Sequence, residues 1–266
     1  MKQIVLLVCI LISSLTLAQE QVFFYSYRNV PADEMEMFKK NEAEFWSKVH
    51  SNLVKKKKIT GWAMLSRVGG LASEPNIYFF LGVGSYENLD NMQNSYQEAY
   101  AEVMSSMDAN AQSKMKERLN QEKFEYGTAI LNRRNAVWAD DADWNYLVHN
   151  YAKANDVGGF LDAQEKYLKP FFEEHIKAKN TKQVGWMTAS MLNPRGHAYK
   201  WNCYTADAYK TIGDIYNAWN IEDVTYPEEG MTEINKTTEK AGFWKSVIWK
   251  KEMWLDEEGD FHSIDD

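Results

Sequence analysis

The 266-residue chain has 45% hydrophobic and 14% aromatic side chains, enough to bury a core as one large domain or two ordinary ones, which excludes disorder. Its formal charge of −8 leaves no surplus of Lys and Arg to release counterions from a phosphate backbone, so nucleic acid is not an expected partner.

The chain opens with Lys2, an apolar run over 4–12 and a softer stretch ending at Ala18. A charged start, a short apolar run and a small final residue read as a signal peptide over 1–18, which implies export to the periplasm or outside. No later stretch reaches the roughly 20 apolar residues of a membrane span. Loss of Cys9 with the leader leaves Cys203 alone, so no disulfide within the chain is expected.

An aromatic strand over 22–28 comes next. Pro31, Asp33 and Glu34 then open a helix, because proline suits the first turn and acids suit the positive end of the helix dipole. Phe38, Phe45, Val49 and Leu53 form its apolar stripe. Lys55, Lys56, Lys57 and Lys58 close it as a solvated helix end. Strands follow around 60–66 and 76–83, with Gly69-Gly70 as a turn. Two helices are expected over 86–121, marked by Leu89, Met92, Tyr96, Val103 and Met107, and a strand over 128–138 completes the first half. After a short acidic connector at 140–143 the order begins again. A strand at 146–152 leads to a helix capped by Asn155 or Asp156, with the stripe Leu161, Leu168, Phe172 and Ile176 and a kink at Pro170. Strands at 184–190 and 197–205, short helices at 207–219 and 231–240, and a strand at 244–254 follow.

The halves are therefore a repeat. Thr60-Gly61-Trp62-Ala63-Met64 and Val184-Gly185-Trp186-Met187-Thr188 stand 124 residues apart, and six elements recur around them in one order. Each half, 19–140 and 141–266, reads β-α-β-β-α-β, a ferredoxin-like unit. In this the chain resembles the dimeric α+β barrel superfamily, in which two such sheets face each other. The resemblance implies an α+β fold of tandem ferredoxin-like repeats closed into an intramolecular pseudo-dimeric barrel. The superfamily includes cofactor-free monooxygenases, isomerases, haem-degrading enzymes and haem peroxidases, so it implies no single activity.

Strand parity suggests which residues look inward. Phe23, Tyr25 and Tyr27 share one face, as do Leu147, His149 and Tyr151. The small residues Gly61, Ala63, Gly185 and Ala189 suggest close helix approach, which would turn Trp62 and Trp186 into the barrel. Tyr25, Tyr27, Trp62, Tyr151, Trp186 and Trp201 are then the candidate ligand-binding residues of an aromatic pocket for a small apolar molecule. His149 is the candidate catalytic residue, as a proton acceptor in cofactor-free chemistry; a buried histidine satisfied by a tyrosine is the alternative. Glu42 and Glu165, on matching helix stripes, are expected to make local ion pairs or hydrogen bonds. The five histidines show no metal-ligand spacing, so no metal is expected. Haem is an alternative cofactor by resemblance: Asn150 and Trp201 could fill two roles of the haem-degrading pattern, but helices 87–107 and 207–219 hold no histidine, leaving His149 as the one substitute ligand. Neither the ligand nor the oligomeric state is fixed by the sequence, and a non-catalytic interaction module is the competing reading.

Overall fold

The computed structural model describes residues 21–122, 124–197, 199–220 and 224–264; the expected leader, residues 1–18, lies outside them. The first half runs β1 (Val22–Asn29), α1 (Met35–Asn41), a π-helical turn (Glu42–Trp46), α2 (Ser47–Lys55), β2 (Gly61–Arg67) and β3 (Ile77–Gly84). It continues through α3 (Tyr86–Asp90), α4 (Met92–Ser105), α5 (Ala109–Gln121) and β4 (Glu125–Trp138). The second half repeats the order with β5 (Tyr146–Ala152), α6 (Val157–Ala163), a π-helical turn (Gln164–Leu168), α7 (Lys169–Lys177), β6 (Gln183–Asn193) and β7 (Cys203–Tyr209). α8 (Ile212–Asn217), α9 (Glu228–Thr237) and β8 (Lys245–Leu255) complete it, and a short β9 (Phe261–Ser263), which the sequence reading missed, pairs with β8.

Each half forms an antiparallel sheet of the same order, β2-β3-β1-β4 and β6-β7-β5-β8. The last strand of each half pairs with the second strand of the other, β4 with β6 and β8 with β2. Those two seams close eight strands into a barrel, which leaves no free edge on them. The fold is thus an α+β barrel with helices outside, as the repeat implied.

The outer helices form where the apolar stripes predicted. Phe38, Phe45, Val49 and Leu53 are buried against the first sheet, and Leu161, Leu168, Phe172 and Ile176 against the second. Asp156 caps α6 by accepting a 2.9 Å bond from the Gly159 amide, satisfying one orphan donor of the first turn. The lysine run does end a helix: Lys55 pairs with Asp260 at 3.3 Å and Lys56 with Glu102 at 2.5 Å. The interruption near Pro170 has a different cause from the one expected. A π-helical turn precedes the proline, and the first half carries the same turn at the same place without any proline. Pro170 is the second residue of α7, which runs on directly from that turn.

The sheet faces correct a second expectation. Phe23, Tyr25, His149 and Tyr151 do point into the barrel, but so do Ala63, Leu65, Met187 and Ala189. Trp62 and Trp186 face the helices: Trp62 stacks on His50 with ring centroids 5.0 Å apart, and Trp186 on Phe172 at 4.9 Å. The small side chains on β2 and β6 make room for rings rather than for helices. Trp138, for example, lies where a Cβ on Gly185 would be.

Candidate functional site

The barrel interior is not one pocket. At its waist Tyr25 and Tyr151 join hydroxyl to hydroxyl, and the Tyr25 hydroxyl lies 3.3 Å from His149 Nδ1. Tyr78 and Tyr204 close over the imidazole, each with its ring centroid 5.0 Å away. His149 is 1% exposed, and burial holds it neutral by lowering its pKa to about 3. The same burial raises the phenols of Tyr25, Tyr78 and Tyr204. Tyr25, Tyr151 and His149 turn their polar atoms on one another and, with the rings of Tyr78 and Tyr204, form a partition, a buried histidine satisfied by a tyrosine as in the alternative reading. The partition leaves a cavity at each end. One, of about 260 Å³, is lined by Tyr25, Tyr27, Tyr151 and Trp201. The other, of about 280 Å³, has His149 at its inner end and walls of Phe23, Leu65, Phe80, Leu147 and Met187.

The predicted residues are therefore divided among four places. Tyr25, Tyr27, Tyr151 and Trp201 converge at one barrel end, His149 looks toward the other, and Trp62 and Trp186 each belong to a pocket outside the sheet. Nor does the haem pattern assemble. Asn150 is on the helix side, donating to Asp207 at 2.7 Å, while Trp201 packs inside the barrel on Tyr151. Tyr25, Tyr78 and Tyr204 crowd the His149 ring, and the cavity it lines, about 280 Å³, is too small for a macrocycle, so the residues present do not fit haem there. Among the described residues no group of three His, Cys, Asp or Glu could hold a metal ion.

The pocket over the first sheet brings together a buried carboxyl and a buried imidazole, both with shifted pKa. Its volume is about 400 Å³, and Phe24, Phe38, Trp46, Trp62, Phe79 and Tyr96 wall it. The π-helical turn delivers Glu42 to it, and α2 delivers His50. Glu42 is 6% exposed. Burial first, then the neighbouring Glu122 charge, push its carboxyl up to about 8, against a smaller pull from Arg28. Burial also holds His50 neutral, at about 3. His50 Nε2 is 2.9 Å from the Tyr96 hydroxyl, whose own pKa is raised by burial and by Glu42. Arg28 and Glu122 also line the pocket. A carboxyl raised to about 8, a neutral imidazole and a guanidinium thus surround a space walled largely by aromatic rings.

The equivalent pocket over the second sheet, about 210 Å³, differs in chemistry. Gln164 opens the second π-turn as Glu42 opens the first. Glu165 does form an ion pair, on the surface with Arg134 at 3.0 Å, and it is Gln164 rather than Glu165 that takes the place of Glu42. The acid here is Asp207, raised to about 7 by burial although Asn150 and Gln183 both donate to it. Sequence reading missed His50 and Tyr96 altogether. The available signal was Glu42, Trp46 and His50 at four-residue spacing, a polar line beside the apolar stripe.

Known proteins resemble this chain through structure alone: no known family model matches the sequence, and no curated protein resembles it in sequence. A candidate monooxygenase from Fusobacterium nucleatum superposes with a TM-score of 0.56 at 11% identity, over 92% of this chain and 98% of that one. A candidate monooxygenase from Lactobacillus acidophilus gives 0.55 at 8% identity, over 92% and 97%. An anthrone oxidase-like protein gives 0.52 at 9% identity, over 93% and 94%. These likenesses establish the class of fold, a dimeric α+β barrel built here from one chain. At such identities they establish nothing about chemistry.

Proposed function

We propose that this is an exported protein that binds a small aromatic or otherwise apolar molecule in the pocket between the first sheet and its helices, and exchanges a proton with it at Glu42. The observation that carries the reading is a buried, titratable carboxyl set among aromatic rings in a cavity of about 400 Å³. A carboxyl near 8 is present in both protonation states around neutral pH, which suits a group that takes and returns a proton. Arg28 would face negative charge developing on the ligand, and the His50–Tyr96 pair would fix one wall. The description of one structural neighbour, the anthrone oxidase-like protein, agrees with a ring-bearing organic occupant. Export rests on residues 1–18 of the sequence.

The reading is tested with 2-tetralone, a flat ketone with exchangeable α-protons, followed by proton NMR in heavy water. The wild-type protein should accelerate deuterium uptake over buffer. Glu42→Gln should lose at least tenfold of that rate while still binding, and Trp62→Ala should lose binding. No acceleration by the wild type, or an unchanged rate in Glu42→Gln, rejects the proposal.

A further inference from the structure

The barrel-end cavity beyond His149 belongs to a different kind of site. Its walls are apolar, yet β4 sends a guanidinium into its lining, that of Arg133. The cause is local. Arg133 and Arg134 together oppose Ala189, and Asn135 is already paired with Thr188, so a β-bulge inserts one residue. The bulge turns Arg134 outward to Asp162 and Glu165 and keeps Arg133 on the inner face with Leu131.

Arg133 donates to the side-chain oxygen of Gln21, a neutral group. Among the described residues no carboxylate pairs with it, and none lines the cavity. A second cation stands behind the wall: Lys251 is 7% exposed, with its ammonium 4.5 Å from the ring of Trp144, itself a lining residue, and 4.2 Å from that of Trp254. In a chain with a net charge of −8, this end of the barrel thus gathers two cations, of which Lys251 has the charge of Asp143 nearby while Arg133 has no carboxylate partner among the described residues. The opposite end shows the compensated case, where Glu74 takes both Arg67 and Lys245. A guanidinium has five donors in a planar fork that matches a carboxylate, and among the described residues only one is taken by a side-chain acceptor.

We propose that this cavity is a second ligand site, separate from the Glu42 pocket, for a small apolar molecule carrying a carboxylate, with Arg133 holding the acid group and Phe80, Leu147 and Met187 holding the body. At about 280 Å³ the space suits a short-chain or single-ring acid rather than a long lipid chain.

The test titrates hexanoate and phenylacetate, each beside its neutral amide, by calorimetry and by tryptophan fluorescence, since Trp138 and Trp144 line the cavity. At least one acid should bind tenfold or more tightly than its amide. Tighter hexanoate marks an aliphatic ligand and tighter phenylacetate an aromatic one; either supports the site. Arg133→Gln should bring the acid down to the affinity of its amide, while Glu42→Gln leaves both unchanged, so this site and the proton-exchange pocket fail separately. Equal binding of acid and amide overturns the proposal, as does an acid insensitive to Arg133→Gln or lost in Glu42→Gln. Should Arg133→Gln not fold, a crystal of the wild-type protein with 4-bromophenylacetate decides: an anomalous bromine peak among Phe80, Leu147 and Met187 supports the site, and its absence there overturns it.

Discussion

Glu42 is the residue on which the proposed proton exchange turns, and its titration has a definite sign. In the unfolded chain a glutamate loses its proton near 4.5, whereas in the folded protein burial delays that loss to about 8. Between those limits the folded state holds a proton that the unfolded state has released, so Glu42 makes the protein less stable as pH rises, by up to about 1.4 kcal/mol per unit. Glu42→Gln lacks this slope, and the second half shows that glutamine is tolerated at the start of the same π-turn. Urea unfolding at pH 5, 6.5, 8 and 9 should therefore show the wild type losing ground to the variant until about pH 8 and running parallel to it above. A constant difference would mean that the carboxyl is ionised throughout. Parts of this were legible beforehand and parts were not. The inward placing of Tyr25, His149 and Tyr151 follows from strand alternation, which the strands obey. The placing of Trp62 and Trp186 failed because small residues were read as making room for helices, when the crowding lay inside, where Tyr27 and Trp138 occupy the space beside Gly127 and Gly185. Pairwise ring packing across a closed barrel leaves no periodic trace in sequence.

At the scale of elements, regular pattern was readable and irregularity was not. The helix stripes, the Asp156 cap and the order of the strands all follow local rules. The two π-turns and the β4 bulge each add one residue to a regular repeat, and such additions decide which side chain meets a pocket. The bulge gives the sharper prediction. Arg134 is the inserted residue, exposed and tied to Asp162 and Glu165. Deleting it would leave Arg133 opposite Ala189 and Asn135 opposite Thr188 in a regular ladder, so Val137 and Trp138 would keep their faces, whereas deleting Ala136, which pairs one-to-one with Met187, would send Val137 into the barrel and Trp138 to the helix side. The Ala136 deletion should abolish cooperative thermal unfolding, whereas Arg134→Ala, which removes only exposed ion pairs, should change stability by no more than about 1 kcal/mol. Cooperative melting of the Ala136 deletion would show that β4 tolerates a shifted register.

For the whole molecule, the seams β4–β6 and β2–β8 make each half the lid of the other. A half alone would expose the inner rings of its sheet and two strand edges, a surface larger and more apolar than soluble monomers carry. Residues 19–140 expressed alone should accordingly elute as a dimer or larger species in size-exclusion chromatography with light scattering. A stable, well-dispersed monomer would show that the barrel core is dispensable to the half.

One structural detail reaches furthest: the first π-turn opens with glutamate and the second with glutamine. When two identical protomers build a barrel, any change to one gene is written twice, and both pockets must live with it. Joining the units in a single reading frame lifts that obligation. One copy is then at liberty to take on an acid and whatever instability comes with it, while its twin drifts toward inert scaffolding or an unrelated guest.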